Sequence, residues 1–214
     1  MAARWLPLLL VVCAACQHDI KTPFPAGLEP LETNPVPEQT APYSETLATA
    51  TATGAGGEVE VYARGYVLAD SATVWTATKT PQAVVASCTT DAQSFTVGNE
   101  PQYEFSFLVA YTVNDVLTVQ WNDQWRYGTI DAETAAEPFF GMITHQKTDG
   151  SSFITTSEGT IEVTATDDPN ATELAFVEHL QAIAGSSDDV IKSTTHVFDS
   201  IVALSHGGVI PPCP

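Results

Sequence analysis

The chain has 214 residues, and its 26 acidic and 7 basic side chains give a formal charge of −19. This balance argues against binding to nucleic acid or to an anionic membrane surface, because both need patches of Lys and Arg. The acidic residues are scattered and never form the D-x-D-x-D-G pattern of a calcium loop. We therefore interpret them as a solubilising surface and predict neither a metal site nor a cofactor.

The N-terminus is typical of an export signal. Arg4 precedes an apolar run from Trp5 to Ala15, which is too short for a bilayer span of about 20 residues. The run ends in C-A-A-C, from Cys13 to Cys16, and no second ligand pair supports a redox or zinc reading of that spacing. The motif instead resembles the lipobox of bacterial lipoproteins, although that family usually has Leu where this chain has Cys13.

The lipobox resemblance implies that residues 1–15 are a signal peptide and that Cys16 becomes a lipidated N-terminus. Two or three acyl chains would hold the protein firmly at the bacterial cell envelope, so we expect membrane contact through this anchor only. Gln17 follows the cysteine, and the absence of Asp there favours the outer membrane. An ordinary cleaved signal and an uncleaved anchor are the alternatives.

The rest of the chain divides by composition into three parts. Residues 16–56 are rich in Pro, Thr, Ala, Glu and Gly, which predicts a flexible tether. Residues 57–208 have the length of one folded domain, and residues 209–214 form a C-terminal tail.

The domain begins with the alternating pattern E-V-E-V-Y-A-R-G-Y-V, which predicts a strand. Two short helices are expected next, the first capped by Asp70 or Ser71 and the second by Thr80 before Pro81. Five or six strands follow, separated by the turn signals G-N, N-D, D-G and D-D-P-N.

The end of the domain is predicted as a strand and then a long helix. We interpret residues 171–183 as a strand, because they directly follow the strand pattern I-E-V-T-A-T and the D-D-P-N turn. Ser186 or Ser187 caps the helix, Asp188 and Asp189 lie near the positive end of its dipole, and Gly207 stops it. Its apolar stripe at helical spacing includes Val197, Phe198 and Ile201.

This order of elements, with the closing segment F-V-E-H-L-Q-A-I-A-G-S-S-D-D-V, resembles the START-like helix-grip fold of the polyketide cyclase/START superfamily. The resemblance covers roughly residues 58–207. It implies an α+β domain in which an antiparallel sheet of about six or seven strands wraps around the C-terminal helix. It also implies a cavity for an apolar ligand between sheet and helix. A generic α+β domain is the alternative.

The hairpin from Tyr103 to Tyr127 is predicted to carry an aromatic face. A three-residue loop would pair Phe105 with Trp125 and Val109 with Trp121, and so gives one buried face. Asp123 lies on this face and marks a bulge or a strand end in water; if it is buried, its pKa would be raised. The face and helix form either a packed core or a pocket, for which the candidate residues are Phe105, Phe107, Tyr111, Trp121, Asp123, Trp125, Val197, Phe198 and Ile201.

The sequence contains no recognised catalytic motif, and we predict no catalytic residue. Cys88 and Cys213 form a disulfide or remain two free thiols. Binding of a lipid or another small apolar molecule is the favoured function. The alternatives are a structural or interaction lipoprotein without a ligand and a cyclase-type enzyme that would need Asp123 or a His in a pocket. The oligomeric state stays open.

Overall fold

The computed structural model describes residues 20–23, 27–85, 88–114, 117–129 and 140–213. The predicted signal peptide and the lipidation site Cys16 lie outside these residues. The strands are β1 (Ala48–Thr53), β2 (Val59–Val67), β3 (Ala92–Val97), β4 (Phe105–Asn114), β5 (Thr118–Thr129), β6 (Phe140–Gly150), β7 (Ile154–Ala165) and β8 (Thr172–Ala182). The helices are α1 (Ser71–Thr78), α2 (Pro81–Val84) and α3 (Ser187–Ser205).

The strands form one antiparallel sheet in the order β1-β2-β8-β7-β6-β5-β4-β3. Sequential strands are neighbours throughout, except that β2 pairs with β8. The two short helices lie between β2 and β3, and α3 follows the last strand. The predicted α+β helix-grip fold is confirmed, with eight strands in the sheet where six or seven were expected.

The additional strand lies in the segment that composition assigned to a flexible tether. Its A-T-A-T-A-T sequence forms β1, which pairs with β2 from Ala48 opposite Arg64 to Thr53 opposite Val59. Upstream of β1, Val36 is buried and packs with Tyr62 of β2. Residues 27–53 therefore belong to the folded domain. The open edge of β2 offers hydrogen-bonding groups to the threonine-rich strand β1, which pairs with it.

Asn34 joins this N-terminal segment to the sheet. Its Nδ2 donates hydrogen bonds to the backbone oxygens of Ala63, at 2.9 Å, and Phe176, at 3.0 Å. These two acceptors lie on the neighbouring strands β2 and β8. The amide thus bridges two strands from outside the sheet.

Helix α3 covers the face of the sheet opposite to the one on which Val36 packs. The Ser186 hydroxyl accepts a hydrogen bond from the Asp189 N–H, as its N-cap position predicts, and Gly207 follows the helix with φ of 72°. Phe198 packs directly over β2, where a Cβ on Gly65 would lie 2.6 Å from its ring. The apolar stripe of α3 and the aromatic face of the sheet therefore form one core. Among the described helices, none is long and apolar enough to cross a bilayer.

The β4–β5 hairpin has the predicted aromatic face in a different register. Phe107 pairs with Trp125, and Tyr111 pairs with Trp121, so the register is displaced by two residues from the predicted one. A two-residue shift keeps every side chain on its face because side chains alternate along a strand. In the observed register the rings of Phe107 and Trp125 stack with their centroids 5.5 Å apart, and Val109 lies opposite Asp123.

Cys88 and Cys213 are joined as a disulfide, with their Cα atoms 5.3 Å apart and 125 residues apart in sequence. The bond ties the C-terminal tail to the loop after α2. The buried His196 of α3 lies beside the two sulfur atoms, within 4.8 Å. Because the sulfurs are bonded to each other, they are not available as thiolate ligands for a metal ion.

Replacing Asn34 tests whether the N-terminal segment belongs to the cooperative unit. We expect Asn34→Ala to lower the free energy of unfolding by about 1–3 kcal/mol, because two hydrogen bonds to the sheet are lost. Urea denaturation followed by tryptophan fluorescence measures this. Thr33→Ala is the control on the same segment, where the side chain is exposed. Equal midpoints for the two variants would contradict a structural role for the segment.

Candidate functional site

A cavity of about 190 Å³ lies between the sheet and the N-terminal half of α3. Strands β4 to β8 form its floor, and α2 with the following loop closes one side. We refer to it as the inner cavity. Its lining residues are Val84, Val85, Thr89, Thr90, Tyr111, Trp121, Asp123, Trp125, His145, Ser157, Ile161, Phe176, Glu178, His179, Leu180, Asp189, Val190, Ser193, Thr194 and Val197.

The structure divides the predicted pocket residues into two groups. The inner cavity is lined by Tyr111, Trp121, Asp123, Trp125 and Val197. The rings and side chains of Phe105, Phe107, Phe198 and Ile201 instead pack in the main core. None of these four lines the inner cavity, which extends toward the β4–β5 turn through Tyr111 and Trp121.

Asp123 is a buried acid on the aromatic face, with only 4% of its surface exposed. It sits at an irregularity in the β5–β6 pairing, so both the predicted bulge and burial are present. Burial raises the pKa of Asp123 to about 6, although His145, Trp121, Ser157 and Lys147 all favour the charged form.

The carboxyl group of Asp123 is incompletely hydrogen-bonded by the described residues. Oδ2 accepts from the Ser157 hydroxyl at 3.3 Å. Oδ1 makes no hydrogen bond of good geometry with the described part of the chain, even though the nearby Trp121 indole favours its charge. An acceptor that is buried and incompletely paired is costly, so Oδ1 is available to a donor brought by a ligand.

His145 and Glu178 form a second polar group in the inner cavity. His145 Nε2 and Glu178 Oε2 are 2.8 Å apart, and the imidazole stacks on Trp125 with ring centroids 4.3 Å apart. Burial alone would lower the pKa of His145, but the Glu178 carboxylate, with Asp123 and Glu158, raises it above its usual value. His145 Nδ1 is buried and has no hydrogen-bond partner among the described residues.

Gly159 makes this pair possible. His145 of β6 is opposite Gly159 of β7, which is in turn opposite Glu178 of β8. A Cβ at position 159 would lie 2.3 Å from His145 Nε2 and 2.5 Å from Glu178 Oε2. The two side chains therefore meet over β7 at Gly159, where the strand carries no side chain. Sequence reasoning missed the pair, because it links non-neighbouring strands and no local motif marks it.

The adjacent His179 serves a different region. Its Nε2 lies 3.1 Å from Glu32 and its Nδ1 lies 3.7 Å from Glu158. The Glu158 and Glu32 carboxylates, which accept hydrogen bonds from the imidazole, outweigh burial and raise the pKa of His179 to about 9. The His179 imidazole thus links the N-terminal segment to the sheet through Glu32. It does not contribute to the His145–Glu178 pair.

An apolar groove adjoins the inner cavity. Its volume is about 490 Å³, and it shares Thr89, Trp121, Leu180 and Asp189 with the cavity. Leu117 and Ile183 on its rim are 57% and 77% exposed. We refer to it as the outer groove; it is lined by Thr89, Val113, Leu117, Val119, Trp121, Phe153, Ile154, Leu180, Ala182, Ile183, Ala184, Gly185 and Asp189.

No protein-family model matches this sequence, and no curated protein matches it. Solved structures do match, at low identity. The Zhui aromatase/cyclase of a Streptomyces species is 13% identical with a TM-score of 0.48, over 71% of this chain and 99% of that one. The human StarD13 lipid transfer and protein localization domain is 10% identical with a TM-score of 0.45, over 77% and 90%. Ara h 8.0201 is 12% identical with a TM-score of 0.42, over 71% and 100%. These similarities identify neither a ligand nor an activity.

The ionisation of Asp123 predicts a pH-dependent stability. Its pKa is 3.8 when unperturbed and about 6 in the fold, so below about pH 4 both states bind the proton and ionisation does not affect stability. Between about pH 4 and 6 the unfolded chain releases the proton while the folded protein retains it, so stability falls across this range and the loss is complete above about pH 6. Relative to Asp123→Asn, we therefore expect the wild type to lose about 3 kcal/mol of stability between low and neutral pH.

Urea denaturation of both proteins across this pH range measures the difference. Asp199→Asn is the matched control, because Asp199 lies at an exposed position on α3. Parallel stability curves for wild type and Asp123→Asn would contradict a carboxyl group that is buried and unfavourably ionised.

Proposed function

We propose that this protein binds a lipid or another small apolar molecule in the inner cavity, while lipid chains on Cys16 hold it at the bacterial cell envelope. The supporting observation is a space of about 190 Å³ in which ten of the twenty lining residues are aromatic or aliphatic. A cavity of about 150 Å³ already takes up benzene when its walls are apolar. A structural lipoprotein without a ligand has no need for such a space, because filling it would increase stability.

A cyclase-type enzyme is the second candidate. It is favoured by the presence of two titratable side chains, Asp123 and His145, in the same cavity. Such groups can exchange protons with a bound substrate. The two functions can be distinguished by incubating the protein with its ligand. A binding protein releases the ligand unchanged, whereas an enzyme releases a product.

Filling the cavity tests the binding proposal. Ser193 lines the inner cavity and Thr195 does not, although both are small polar residues of α3. We expect Ser193→Phe to displace the ligand and Thr195→Phe to retain it, because only the first ring occupies the binding volume. Native mass spectrometry of each protein after gentle extraction from the source membrane measures the bound fraction. Wild-type protein that is consistently empty would contradict the proposal.

Replacing each N-terminal cysteine tests the anchor. Cys16→Ala removes the residue that would carry the lipid, so we expect the protein to move from the membrane fraction to the soluble fraction. Cys13→Leu restores the usual lipobox residue and should leave the protein membrane-bound. Immunoblots of fractionated cells measure both. Retention of Cys16→Ala in the membrane fraction at the size of the cleaved form would exclude lipidation at Cys16 as the anchor.

A further inference from the structure

The polar atoms of the inner cavity and the apolar outer groove define the chemistry of the ligand more narrowly than the volume of the cavity does. Asp123 and His145, which each carry an atom without a well-formed hydrogen bond among the described residues, line only the inner cavity, whereas the outer groove is mostly apolar. Along β5, Asp123 is two residues inward from Trp121, which borders both spaces. Along β8, Glu178 is likewise two residues inward from Leu180. Two residues of a strand span about 7 Å, so Asp123 and Glu178 lie about that distance further along their strands from the apolar groove than Trp121 and Leu180 do.

From this arrangement we propose that the ligand is a neutral amphiphile, with a hydroxyl group at Asp123 and His145 and an apolar chain that continues into the outer groove. The inference rests on the proposed ligand-binding function and adds the class and orientation of the ligand.

Four side-chain atoms of the cavity lining lack a hydrogen bond of good geometry among the described residues: the Trp121 and Trp125 indole N–H groups, Asp123 Oδ1 and His145 Nδ1. The choice of a hydroxyl group follows from the last two atoms. Asp123 Oδ1 is an acceptor without a well-formed hydrogen bond, and His145 Nδ1 is a second polar atom without a partner among the described residues. Glu178 stabilises the charged imidazole, and in that form Nδ1 carries a proton. A hydroxyl group can donate to the carboxylate oxygen and accept from the imidazole N–H at once.

Charged end groups fit this pair poorly. An ammonium group has no acceptor for the imidazole N–H, and a carboxylate would face the Asp123 carboxyl group without a proton to donate. Opposite charges already lie beside both members of the pair. Glu178 pairs with His145, and the buried Lys147, whose charge favours ionised Asp123, occupies the opposite position on β6. An additional buried charge would have no counter-ion in this arrangement.

The outer groove suits the chain of the same molecule. It adjoins the inner cavity at Trp121 and Leu180, which line both spaces. The inner cavity is only slightly larger than a space that holds benzene, so a longer ligand must extend beyond it. Leu117 and Ile183 expose apolar surface at the place where the chain would emerge, and covering that surface stabilises the complex.

Calorimetric titrations with simple single-chain probes test the end group. At pH 7, we expect 1-octanol to bind wild-type protein at least about tenfold more tightly than octanoate or octylamine, because each ion leaves a buried group unpaired. Asp123→Leu should weaken octanol binding by a similar factor, whereas Asp199→Leu on the exposed side of α3 should not. Equal or tighter binding of either ion overturns the proposed end group.

An alcohol series from hexanol to dodecanol tests the chain. We expect affinity to rise roughly threefold to fourfold for each methylene that the groove buries. Ile183→Ser and Leu117→Ser should reduce this increase while leaving hexanol binding unchanged. Val209→Ser, at another exposed apolar residue, is the control. Identical chain-length dependence in the groove variants and the control overturns the proposed orientation.

The two proposals fail in different ways. If extracted wild-type protein carries an ionic or fully apolar molecule, or if the ions bind best, ligand binding stands and the hydroxyl amphiphile is excluded. If extracted protein is empty and no probe of any class binds, both proposals fail.

Discussion

The packing of one helix on one curved sheet is the constraint on which the structure depends. Phe198 and Ile201 of α3 are buried on the sheet, and each such side chain contributes roughly 1.5–3 kcal/mol when fully buried. The close approach of Phe198 to β2 requires a glycine at position 65, since a Cβ there would collide with the ring. Where the contact ends, toward the N-terminus of α3, helix and sheet separate and leave the inner cavity.

The inner cavity combines apolar walls with polar groups that a simple core would avoid. Asp123 and His145 are buried, and each retains an atom without a well-formed hydrogen bond among the described residues. Groups of this kind reduce stability unless they are paired. Their position beside an open volume, with Gly159 leaving room for the His145–Glu178 pair, is more consistent with recognition of a ligand than with stability alone.

The sequence predicts the elements better than it predicts their assembly. The preceding strand pattern and D-D-P-N turn indicated β8, and capping residues with an apolar stripe indicated α3. Asp70 caps α1 by accepting a hydrogen bond from the Thr73 N–H. The predicted β4–β5 register was wrong by two residues, because aromatic residues recur at every second position and two different registers bury the same face. The strand β1 was missed because A-T-A-T-A-T has little apolar surface, and only the edge of β2 gives it a partner.

What the sequence determined by itself is local: the order of strands and helices, their caps, and the aromatic face that includes Asp123. Each follows from periodicity or turn chemistry within a few residues. The tertiary structure alone decided which polar groups meet. His145, Gly159 and Glu178 come from three strands, and their contact depends on sheet order and register. Those are set by the summed packing of the whole sheet against α3, which no short stretch of sequence encodes.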